Sequence, residues 1–152
     1  MTVFLFFLCH AGTAQAQQTC TVEAASADFG TYNVLLAGAN DIVTSFSVSC
    51  FFQPPTPVLV TISIGPSPNS GSFDPRQMKL SGGSELLNYN LYIDSGRTQI
   101  WGDGTGSTFT LEERVFSQKN NYWTPSVYGR IPPGQDVTIG TYSETLTVTI
   151  VW

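Results

Sequence analysis

Charge is the scarcest property of this 152-residue chain: Asp, Glu, Lys and Arg together make up 11% of it, against about a quarter in typical globular domains. Only six residues are basic, Arg76, Lys79, Arg97, Arg114, Lys119 and Arg130, and they are dispersed, with a net charge of −5. No basic stripe exists for a nucleic acid to follow. Histidine occurs once, as His10, and cysteine three times, as Cys9, Cys20 and Cys50. No apolar run reaches the roughly 20 residues that a membrane-spanning helix needs.

His10 and Cys9 fall in a segment with its own signature. Val3 to Leu8 is apolar, and Ala14-Gln15-Ala16 is an A-x-A cleavage site. The pattern predicts a secretory signal peptide over 1–16, although no Lys or Arg precedes the apolar run. The mature chain, 17–152, then keeps Cys20 and Cys50 and loses its histidine. Ser-His-Asp and Cys-His catalysis and histidine-based zinc chemistry are excluded. Two cysteines alone make a poor metal site, and no pair of carboxylates is singled out by spacing. No cofactor, metal or catalytic residue is expected. In an oxidising compartment, two cysteines predict the disulfide Cys20–Cys50. Its loop of about thirty residues is worth roughly 3 kcal/mol.

What is present is a period of two. In "DIVTSFSVSC" Ile42, Thr44, Phe46, Val48 and Cys50 share one face, which predicts one half-buried strand. "PVLVTISIG" sets Val58, Val60, Ile62 and Ile64 against Thr61 and Ser63. "ELLNYNLYID" groups Leu87, Tyr89, Leu91 and Ile93, with Asn88, Asn90 and Asp94 opposite. "TYSETLTVTIVW" reads as one run, with Tyr142, Leu146, Val148, Ile150 and Trp152 inward. "CTVEA" and "SVYGRI" read as shorter strands, and "LEERVFSQK" fits a strand at least as well as a helix. Pro- and Gly-rich breakers separate these runs. Such a pattern predicts a single all-β domain, a sandwich or barrel, and the disulfide on an early strand favours an immunoglobulin-like sandwich.

The local motifs read as structural. "WGDGTGST" lacks the spaced oxygen ligands of a calcium loop and reads as a glycine-rich turn anchored by Trp101. Asp74-Pro75 favours the start of a turn, with Arg76 and Lys79 as surface charges. Trp101, Trp123 and scattered carboxylates leave open a carbohydrate-binding or hydrolytic sandwich.

Taken in order, "CTV", "FGTY", a second cysteine after a Ser-rich strand, "LNYNLYID", "WGDGTG", "VYGRIP" and "GTYSETLTVTIVW" resemble the spore coat protein U domain. That family includes secreted pilins of archaic chaperone–usher pili and takes its name from a coat protein of myxobacterial spores. The resemblance implies an incomplete, pilin-type immunoglobulin-like sandwich that lacks one strand. It implies a non-enzymatic fibre subunit whose partners are a periplasmic chaperone, an outer-membrane usher and neighbouring pilins. A strand lent by the chaperone, then by the next subunit, fills the groove by β-augmentation. By the resemblance, Leu146, Val148 and Ile150 line that groove or contact the chaperone. A non-polymerising coat or matrix protein of the same fold is the alternative. With cleavage after Ala16, only Gln17, Gln18 and Thr19 precede Cys20, too few for a donor strand of roughly ten residues. The expected subunit therefore accepts a strand without giving one, as at a fibre tip.

Overall fold

The computed structural model describes residues 17–152 apart from 24, 56 and 117, and backbone alone at 113–116. The expected leader, 1–16, lies outside the described residues. In chain order the strands are β1 (Gln17–Val22), β2 (Asn40–Ser45), β3 (Val48–Gln53), β4 (Val58–Ile64), β5 (Arg76–Leu80) and β6 (Leu86–Tyr92). They continue with β7 (Leu111–Phe116), β8 (Asn120–Trp123), β9 (Ser126–Ile131), β10 (Tyr142–Ser143) and β11 (Val148–Val151). No helix forms among the described residues, and none is long and apolar enough to cross a membrane.

The strands pair antiparallel in three sheets, ordered β1-β3-β8, β10-β5-β6-β9-β2 and β11-β4-β7. Inward residues of β3 and β4 (Val48, Phe52, Val60, Ile62) meet those of β6 and β9 (Leu87, Leu91, Val127, Ile131) in one buried cluster. The architecture is the all-β, immunoglobulin-like sandwich expected from the alternation. It is built because period-two strands bury one face each, and two such faces exclude water together.

Two runs that read as single strands each cross between sheets. "DIVTSFSVSC" divides at Phe46-Ser47: β2 pairs with β9, and β3 pairs with β1 and β8. The alternation keeps its phase through the break, since Phe46, Val48 and Cys50 are all buried. "TYSETLTVTIVW" divides likewise, with β10 on β5 and β11 on β4. A strand that changes sheets while keeping one face toward the core leaves no mark in the hydrophobic pattern.

Cys20 and Cys50 face each other in the β1–β3 register and are joined, with S–S 2.07 Å and Cα–Cα 4.1 Å. Replacing both by alanine should lower stability by roughly 3–4 kcal/mol, because the unfolded chain regains a loop of 30 residues. Urea unfolding checks this, and a loss below about 1 kcal/mol would contradict it.

Arg76 is not a surface charge. It is 0% exposed, on β5, and every donor group of its guanidinium finds an oxygen. Nη2 donates to the carbonyls of Trp101 (2.6 Å), Gly65 (3.0 Å) and Ile64 (3.2 Å). Nε donates to Gly65 O, and Nη1 to Asn90 Oδ1 at 2.7 Å. Asn90, expected on the solvent side of β6, is buried because it serves this guanidinium and in turn donates to Asp74. Burial pulls the Arg76 pKa down, against the opposing pull of Tyr89, Glu144 and Asp74.

The same node explains "WGDGTG". Trp101 is 0% exposed, its ring lies 5.8 Å from that of Phe46, and Nε1 donates to Ile62 O. Its carbonyl goes to Arg76. A ring so enclosed offers no platform for a sugar, which removes Trp101 from the carbohydrate-binding reading. "VYGRIP" also has a steric reason: a Cβ at Gly129 would stand 2.7 Å from Phe29 Cζ and 2.8 Å from Ile42 Cγ1. Only glycine lets Phe29 lie over β9.

Candidate functional site: an open groove between two walls

The described residues enclose a groove of about 1070 Å³. Its floor is apolar core, including Phe46, Ile64, Leu87, Leu91, Val127 and Ile131. One wall is the segment from Val22 to Val34, and the other runs from Val137 to Val148.

Both walls lack regular pairing where they face the groove. Residues 25–33 form no strand, and 144–147 form none between β10 and β11. Among the described residues β11 has one neighbour, β4, and no strand lies on its other edge. Open edges carry unpaired N–H and C=O groups, which a further strand satisfies. The groove thus combines an apolar floor with backbone edges that can hydrogen-bond to an occupant.

The structure places Leu146 and Val148 in the lining, both half-buried. Ile150 lies outside it, paired opposite Ile62 and packed on the core. Cys20 and Cys50 belong to the neighbouring sheet and do not line the groove.

Sequence reasoning missed one wall and one polar residue. The Val22–Val34 wall has no hydrophobic period to reveal it. Its Phe29 meets Tyr89 edge-on, with ring centroids 5.8 Å apart. Glu144 interrupts the inward row of Tyr142, Leu146 and Val148, and that interruption was the signal. Its carboxylate accepts from Tyr89 Oη at 2.5 Å, from Asn69 Nδ2 at 3.2 Å and from Ser67 Oγ. Burial, and then the bond to Glu144, push the Tyr89 hydroxyl well above its ordinary pKa. At the far end Glu85 accepts from Thr138 N, Thr138 Oγ1 and Tyr142 Oη, bonds that hold its carboxyl below the usual range.

Among the described residues no three His, Cys, Asp or Glu side chains gather to hold a metal. Tyr122, at 66% exposure, is the most exposed aromatic residue among the described residues and lies on β8, outside the groove lining.

Comparison with known proteins follows the fold. The chain is similar to Protein U of Myxococcus xanthus, 33% identical over 134 residues that cover 81% of this chain and 69% of the relative. Its structure superimposes on a chain of the CsuC–CsuE chaperone–tip adhesion subunit pre-assembly complex from the archaic chaperone–usher Csu pili of Acinetobacter baumannii. There the TM-score is 0.56 at 19% identity, over 90% of this chain and 40% of that one. This chain therefore spans about two fifths of the length of that structural neighbour. The sandwich is of the kind found in that pilus assembly, and a family profile, that of the Spore Coat Protein U domain, matches residues 7–149. The chain belongs to the Spore Coat Protein U domain family.

Proposed function

We propose that this protein is a non-enzymatic structural subunit of a secreted chaperone–usher fibre, and that its groove accepts a donor strand. One observation carries the reading: an apolar-floored groove walled by segments, 25–33 and 144–147, that form no strand, with no second neighbour for β11 among the described residues. A chaperone strand would occupy the groove in the periplasm, and the terminal segment of a neighbouring subunit would replace it at the usher. Leu146 and Val148 would contact the occupant directly, and Ile150 would brace β11 from beneath.

Residues Gln17–Val22 are committed to β1 against β3, so they are not free to serve a second subunit. With cleavage after Ala16, the protein would accept a strand without giving one, which suits the distal end of a fibre. The family description favours a second reading, a coat or matrix protein of the same fold that does not polymerise.

The two readings separate on the purified full chain. An acceptor subunit should self-associate or unfold readily alone, and a ten-residue peptide alternating Ile and Thr should render it monomeric and raise its melting temperature. Strand addition buries apolar side chains worth about 1.5–3 kcal/mol each. A stable monomer whose melting temperature ignores the peptide would refute the acceptor role.

A further inference from the structure

The groove is one-sided in charge. Among the described residues its lining includes Glu23, Asp28 and Glu144, and no lysine or arginine. Asp28 belongs to one wall and Glu144 to the other. Asp28 precedes Phe29, the Phe29 ring stands against Tyr89, and Tyr89 donates to Glu144. Each wall therefore contributes a carboxylate to the lining.

Neither has an ion-pair partner among the described residues, where both salt bridges go to Asp41, from Arg97 and Arg130. Asp28 accepts from the Gly30 N–H and is exposed. Glu144 accepts from neutral groups and feels Arg76 only through space, while that guanidinium donates to carbonyls and to Asn90. Lys79 lies opposite Ser143, but it alternates with Met78, which lines the groove, and is itself exposed.

We propose, resting on the acceptor reading, that the occupant of this groove is a basic strand. It is an extended apolar segment with Lys or Arg among the positions that face away from the floor, where a long side chain meets the carboxylates of the walls, the exposed Asp28 first among them. Opposite charge in the partly desolvated rim attracts such a strand and repels an acidic one. The occupant proposed is a strand of a partner protein with that chemistry, since among the described residues the lining offers carboxylates and no cation.

Three end-labelled ten-residue peptides, alternating Ile and Thr and carrying Thr, Lys or Glu at one central polar position, test this by fluorescence anisotropy on the full chain. In low salt the Lys peptide should bind roughly five-fold more tightly than the Thr peptide, and the Glu peptide several-fold more weakly. The spread should collapse in about 0.5 M NaCl. Asp28→Asn, a change at an exposed position, should remove most of the preference for Lys. Equal affinities for all three peptides, or tighter binding of the Glu peptide, would overturn the charge preference and leave the acceptor groove standing. Binding of none would overturn both.

Discussion

Arg76→Met is expected to cost the domain on the order of 4 kcal/mol. Methionine keeps the unbranched apolar stem and has none of the donors. The carbonyls of Ile64, Gly65 and Trp101 and the side chain of Asn90 would all lose their partner at once. Each buried acceptor left unsatisfied costs about 1–3 kcal/mol. An apolar replacement of a buried charge is often harmless when its partners are replaced too. Here three partners are backbone carbonyls, which no substitution removes. Lys79→Met, three residues along and exposed, should change stability by less than about 0.5 kcal/mol. Urea unfolding with an unchanged slope compares them. A cost below about 1 kcal/mol for Arg76→Met would show that water takes over the orphaned carbonyls.

Val148→Asp should abolish strand capture, weakening a complementing peptide at least about a hundredfold. Val148 lines the groove, half-buried, where an unpaired carboxylate costs several kcal/mol. Thr149→Asp points the same charge outward and should stay within about threefold of the parent. Ile150→Asp should lower stability more than it lowers capture, since Ile150 packs on the core opposite Ile62, outside the groove. Peptide binding and melting, measured on the same three proteins, distinguish these effects. Equal loss of capture at Val148 and Thr149 would contradict the groove assignment.

These two sites mark what the sequence makes legible. Alternation exposes a strand wherever one face is buried, so β4, β6 and β9 are readable from Val60-Ile62-Ile64, Leu87-Tyr89-Leu91 and the run around Val127. Half of the groove is readable the same way, through Leu146 and Val148. Arg76 is not, because its acceptors lie 11, 12, 14 and 25 residues away and come together only after folding. A charged residue after a proline looks like a surface turn until those carbonyls surround it. The Val22–Val34 wall is hidden for a different reason. Its residues 25–33 form no strand, so it carries no period of its own, and Gly129 makes sense only once Phe29 lies over it.

The sulfur bridge between β1 and β3 also decides where the molecule would yield under tension. Force entering at Gln17 can peel three residue pairs, Gln17–Gln53, Gln18–Phe52 and Thr19–Phe51, before it reaches Cys20. Beyond that point the load passes into β3 through a covalent bond, and β1 cannot be stripped away. β11 has no such rivet. Its four register pairs with β4, from Val148 to Val151, are held by backbone hydrogen bonds and packing alone. A pulled molecule should therefore open first at its C-terminal strand, at a force set by the rate of that rupture and not by equilibrium stability.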